Sequence, residues 1–208
     1  MPAVSLSGRI DMAASPDAAF FVQVTGNERT YDEAPPPPGA RRDSRGMEYL
    51  LGANFELSTL VRGEVAVGYI EQSFDQPAFG DVSGFGARAQ LEWFPSQLTT
   101  VQVAAGRTIE DTPVTGAGAF VANSASLAVD HELLRNLILT GTANYGQDDF
   151  DELGRTDERW GAGFSGTYLV NRNFGITLGA SHASRSSDAI GGQNYDVNRL
   201  ILTVVSQF

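Results

Sequence analysis

One period runs through most of this 208-residue chain: apolar and polar residues alternate one for one. From Met47 the apolar positions are Met47, Tyr49, Leu51, Ala53, Phe55 and Leu57, with Glu48, Gly52, Asn54 and Glu56 between them and Leu50 out of pattern. The alternation resumes as Val61, Val65, Val67 and Tyr69 against Arg62, Glu64, Ala66 and Gly68. It continues as Phe85, Ala87, Ala89, Leu91 and Trp93 against Gly84, Gly86, Arg88, Gln90 and Glu92. A helix repeats its apolar residues every three or four positions; a repeat of two puts them on one face of a β-strand. Val4, Leu6, Ile10 and Met12 begin the same pattern and residues 20–30 follow it more weakly. It returns in 98–109, 121–131, 137–145, 160–168, 174–184 and 195–208. About eleven strands are expected.

The connections alternate as well. Short polar turns fall near 15–17, 58–59, 95–97, 135–136 and 171–173, so that Leu60, Leu98, Leu137 and Phe174 each open the second strand of a hairpin. Longer Gly-, Pro- and Asp-rich loops fall at 32–45, 71–82, 110–118, 147–157 and 185–194, the first stiffened by the prolines of 35–38. Short and long links in turn make a meander, and in transmembrane barrels the short turns are periplasmic and the long loops extracellular. That orientation puts Tyr49, Tyr69, Phe85, Tyr145 and Trp160 at the outer strand ends, and Phe55, Trp93, Tyr168, Phe174 and Phe208 at the inner ends. Two aromatic bands around a Val, Leu and Ala belt suit rings that sit at the headgroup level. A soluble sandwich would keep its aromatics mid-strand and put charge, not Gly, Ser and Thr, on its second face. The expected fold is all-β: an antiparallel up-and-down transmembrane β-barrel, one domain over 1–208, surrounded by membrane lipid.

Composition removes several functions. A formal charge of −11 argues against a nucleic-acid partner. The absence of cysteine excludes disulfides and thiolate metal sites. His131 and His182 are too few and too far apart for a zinc site of usual spacing, and no Walker loop, G-x-S-x-G or H-E-x-x-H occurs. No catalytic residue, cofactor or metal is therefore expected. No run approaches the roughly 18–20 apolar residues of a membrane-spanning helix. The first residues have neither the basic nor the apolar region of a signal peptide, from which the chain is expected to be incomplete at its N-terminus.

The polar face carries Arg62, Glu64, Arg88, Gln90, Glu92, Gln102, Thr140, Thr142, Asn144 and Arg159. These are candidates for a lumen wall, either pairing across strands or tuning the passage of a solute. Asp148, Asp149, Asp151, Glu152, Asp157 and Glu158 form an acidic run, but Leu153 stands where a calcium loop needs its third ligand. A solvated loop is expected there, with cation-bridged contact to lipopolysaccharide as the other reading.

The C-terminus is more specific. Leu200, Leu202, Val204 and Phe208 alternate back from the last residue, broken by Ser206. Outer-membrane barrels end this way, and the resemblance implies that Phe208 is a signal read by the barrel assembly machinery. Residues 60–69 (LVRGEVAVGY), 77–84 (PAFGDVSG), 129–136 (VDHELLRN) and 168–173 (YLVNRN) resemble the β-barrel porin 2 family of bacterial outer-membrane proteins. The likeness runs from about Met47 to Phe208 and rests on the number and order of turn-and-strand patterns. It implies a porin-like channel or structural barrel in the outer membrane of a Gram-negative bacterium. A surface adhesin acting through acidic loops, or a barrel accessory to exopolysaccharide export, are the alternatives. Because single-chain bacterial barrels have an even strand number, an intact barrel of 12 or more strands is expected.

Overall fold

The structure, a computed structural model, describes residues 3–31, 41–77, 79–112, 114, 117–189 and 192–206. Its eleven strands are β1 (Ala3–Ser15), β2 (Ala18–Arg29), β3 (Ser44–Ser58), β4 (Val61–Phe74), β5 (Val82–Ser96) and β6 (Thr99–Asp111), then β7 (Ala119–Leu134), β8 (Leu137–Phe150), β9 (Arg155–Leu169), β10 (Phe174–Ser187) and β11 (Tyr195–Ser206). They lie side by side in chain order, each antiparallel to the next. β1 and β11 are the two edges, and all their residues are exposed. Among the described residues no helix is long and apolar enough to cross a membrane. Each strand exceeds the roughly 9–11 residues that cross the hydrocarbon, so the strands run on past it.

Four of the five short turns share one device. Ser15, Ser58 and Ser96 each accept a hydrogen bond on Oγ from the backbone N–H two residues on, at 3.3, 3.1 and 3.3 Å. Asn171 does the same with its amide oxygen, accepting from Asn173 at 2.8 Å and from Phe174 at 2.9 Å. Such side chains stand in for a backbone turn and fix where the chain reverses. Leu60 and Leu98 consequently belong to the turns, and the second strands open at Val61 and Thr99.

Register gathers the outward aromatics into rows. Tyr49 lies opposite Tyr69 and Tyr69 opposite Phe85, while Tyr145 faces Trp160. Trp93 and Tyr168 stand towards the short-turn end, and Tyr49, Tyr69, Trp93, Tyr145, Trp160 and Tyr168 are all exposed on their sheet face. The concave face is recognised by contacts that skip strands: Arg9 of β1 reaches Glu64 of β4, and Arg88 of β5 reaches Gln23 of β2. Leu50, out of pattern in the sequence, belongs to that face. It packs with Phe21 and Ala66 into a buried knot, each 1–2 % exposed. Gly52 makes room for it, since a Cβ there would stand 2.3 Å from the Phe21 ring.

The regular alternation ends at the long-loop end of β6 and β7. Pairing of β5 with β6 stops at Ala87 opposite Arg107, whereas β6 stays paired to β7 as far as Asp111 opposite Ala119. Freed from β5, this hairpin end packs Ile109 and Ala119 against Ile70 of β4, with Phe74 and Val82 alongside. The expected loop at 147–157 is also shorter. β8 and β9 continue to Phe150 and from Arg155, joined by one turn of 3-10 helix, Asp151–Leu153.

Two outcomes follow for stability in lipid. Val65 lies on the outward face midway between Tyr69 and Val61, and Val61 pairs with Trp93. Val65→Arg is expected to destabilise by about 2–4 kcal/mol at the bilayer midplane. Thr142→Arg, on the concave face, is expected to cost far less; denaturant titration of vesicle-folded protein measures both. Gly52→Ala is expected to lose about 1–3 kcal/mol by overpacking the knot, read in the same titration.

Candidate functional site

The concave wall carries two linked groups of charges. Arg9 pairs with Asp11 at 2.8 Å and with Glu64 at 2.9 Å, and its guanidinium stacks 3.6 Å over the Phe21 ring. Glu64 also meets Arg88 at 3.5 Å, and Arg88 donates to Gln23 at 3.3 Å. The Asn54 amide, with its oxygen towards Arg9 and its nitrogen towards Glu64, is 2.7 Å from each. Nearer the short turns, Glu92 holds Arg62 on one oxygen and Gln102 on the other, the latter at 3.3 Å. The register of β4, β5 and β6 puts Arg62 opposite Glu92, Glu64 opposite Gln90, and Glu92 opposite Gln102. Arg9 and Asp11 alternate as strongly as the residues chosen from sequence, and their i, i+2 spacing is the signal that marks them.

Two cavities open on this wall. The lower one, of about 750 Å³, is bordered by Asp17, Glu56, Arg62, Glu64, Gln90, Glu92 and Gln102. The upper one, of about 570 Å³, is bordered by Arg88, Gln90, Ser124, Ser126, Asn144, Arg159 and Tyr195. Gln90, Ala104 and Ser126 border both, so the two adjoin. Of the ten polar residues singled out from sequence, eight border one cavity or the other, and Thr140 and Thr142 border neither. Phe208 and residues 32–40, with the proline run, lie outside the described residues.

The acidic run is not a solvated loop. Asp157 is fully buried, held by Arg155 and by Arg185 at 2.8 Å, and Asp148 is buried against Arg159 at 2.6 Å. Asp149 accepts from Asn123 and Gln147, and Glu158 from the Tyr145 hydroxyl. Strand pairing puts Asp148 opposite Asp157 and Arg159 opposite Arg185, so arginines must intervene between the carboxylates. Alternate charges at Arg155, Asp157 and Arg159 are the sequence sign of this cluster, one that a reading of the segment as loop passes over.

The long-loop end is bridged from wall to wall. Glu152, in the β8–β9 turn, accepts from the backbone N–H of Gly80 and, at 2.9 Å, from that of Gly118. Gly80 belongs to the β4–β5 link, four strand spacings away, roughly 19 Å along the wall. One side chain joins the two because the links fold over the mouth. At the end of β6, Asp111 takes Arg29 on one oxygen and the Tyr31 hydroxyl on the other, the latter at 2.8 Å. Burial, and then this hydrogen bond, push the Tyr31 phenol up to about 12. Arg42 donates to the Val114 carbonyl at 2.9 Å and lies over the Phe79 ring. Ala117, beside these contacts, is fully buried.

The histidines stand apart. His131 bonds Thr99 at 2.9 Å, and His182 bonds Asn198 at 2.9 Å beside the Trp160 ring. Among the described residues no group of three acidic or histidine side chains could hold a metal ion.

An apolar, aromatic-banded exterior, a charged concave wall with adjoining cavities and a bridged mouth define a porin-like β-barrel of the outer membrane. The profile of the family described as "Putative beta-barrel porin 2" matches residues 2–208, and the chain belongs to that family. Among solved structures the chain is similar to the outer membrane channel DcaP of Acinetobacter baumannii, with a TM-score of 0.58 and 15 % identity. That match covers 97 % of this chain and 62 % of the channel, and what the two share is the fold. A NanC porin aligns at a TM-score of 0.48 and 8 % identity, over 99 % of this chain and 94 % of that one. LpxR from Salmonella typhimurium aligns at 0.37 and 9 %, over 98 % and 88 %. No curated protein sequence matches the chain.

Removing the Glu152 carboxylate releases two links at once. Glu152→Ala is expected to raise protease cleavage within 112–118 several-fold in the folded protein, whereas Asp188→Ala, which frees only the Thr156 N–H, leaves it unchanged.

Proposed function

We propose that this chain forms a passive channel for small polar solutes across the outer membrane of a Gram-negative bacterium, and that it catalyses no reaction. The observation that carries the reading is the pair of adjoining cavities on a wall of charged and amide side chains. Each has the volume of a small-molecule site, about 300–1,000 Å³. Apolar packing inside the wall is limited to the cluster of Phe21, Leu50 and Ala66 and, at the long-loop end, that of Ile70, Ile109 and Ala119, and the wall between them is polar. Paired charges along the wall leave a polar surface on which a hydrated solute keeps its hydrogen bonds. The infolded β6–β7 hairpin narrows the long-loop mouth and sets a size limit. Insertion by the assembly machinery through Phe208, and contact with lipopolysaccharide around the aromatic band, belong to the same proposal.

Planar-bilayer recording tests it. Refolded protein is expected to give discrete current steps in KCl, larger in Glu152→Ala because the mouth links are released. Steady insulation by both proteins, with β structure verified in the same vesicles, would make this a closed structural barrel.

A further inference from the structure

The two cavities carry opposite charge. Four carboxylates and a single guanidinium border the lower one: Asp17, Glu56, Glu64 and Glu92 against Arg62. Two guanidiniums, Arg88 and Arg159, border the upper one, and no carboxylate does. The partner of Arg159, Asp148, lies behind it with its side chain 6 % exposed, whereas the Arg159 side chain is 47 % exposed. Arg88 spends one nitrogen on Gln23 and Glu64, and a guanidinium has five N–H donors, so both arginines keep donors for a ligand. Ser124, Ser126 and Asn144 add neutral hydrogen-bonding groups beside them.

From this division we infer that the lumen selects small zwitterions, taken up carboxylate-upward with the ammonium in the lower cavity. The inference rests on the channel reading above. An anion is attracted by the upper cavity and repelled by the lower; a cation meets the reverse. A solute bearing both charges gains in both places if its charges are spaced to match. Arg88 and Glu92 lie four residues apart on β5, about 13 Å, whereas Glu64 is already in contact with Arg88 at 3.5 Å, which leaves Glu92 as the carboxylate that meets the ammonium. An extended chain spans at most about 3.3–3.6 Å per residue, so the termini of a three-residue peptide, about 10 Å apart, come within reach of both side chains. A free α-amino acid is too short to engage both.

Blockade of the single-channel KCl current tests this with three probes of one sequence: trialanine, its N-acetyl derivative and its C-terminal amide. At about pH 6.5 the free terminal amine is protonated. Trialanine is expected to block at a several-fold lower concentration than either capped peptide. Arg88→Gln with Arg159→Gln should abolish its advantage over the amide, and Glu92→Gln its advantage over the N-acetyl peptide. The KCl current of each variant reports that the barrel is intact. Equal blockade by all three peptides in a conducting wild-type channel, or both advantages surviving in the variants, would overturn the inference and leave the channel standing. A chain that carries no KCl current removes the channel reading, and the selectivity with it.

Discussion

In hydrocarbon a peptide N–H or C=O has no water to turn to, and each one left unpaired costs several kcal/mol. Antiparallel strands in chain order meet that demand with the least topology, because each of β2 to β10 is paired on both sides by its neighbours in the chain. Serine and asparagine side chains at the short reversals satisfy the backbone where the ladder ends. Once the ladders are set, side chains have two destinations, lipid or interior. Alternation along each strand is the direct consequence.

The interior is organised by a second requirement, that charges sharing a confined wall be paired. Glu64 serves Arg9, Arg88 and Asn54 together, and Asp157 serves Arg155 of its own strand and Arg185 of the next. The links from Arg9 to Glu64 and from Arg88 to Gln23 tie non-neighbouring strands together across the concave face, as the ladders cannot. The same principle closes the long-loop end, where Glu152 and Asp111 draw links from opposite parts of the wall over the mouth. The β6–β7 hairpin can lean inward because it has left β5, and the Ile109, Ala119 and Ile70 contact holds it there. A polar concave wall with a strapped outer end is the physical result.

Features set by neighbours in sequence or by adjacent strands were legible beforehand. Tyr49 opposite Tyr69, and Arg62 opposite Glu92, follow once each turn is placed, since a two-residue period admits only one choice of face. The match of residues 2–208 to the porin-like family agrees with that reading. Contacts that skip strands were not legible. Leu50 broke the pattern because its partner, Phe21, lies on another strand across a glycine. Ile109 kept the outward parity and is buried all the same, because the sheet divides beneath it. Asp148 and Asp157 read as loop acids because nothing local records that Arg159 and Arg185 come to rest beside them.

The central claim, that one face of every strand meets lipid and the other a watery interior, is open to a clean chemical measurement because the chain has no cysteine. Single cysteines placed in turn at residues 139–144 of β8 are treated, in vesicles, with a water-soluble thiol reagent that does not cross lipid. The account predicts modification at Thr140, Thr142 and Asn144 and protection at Leu139, Gly141 and Ala143. Uniform reactivity along the strand, or the opposite alternation, would contradict it.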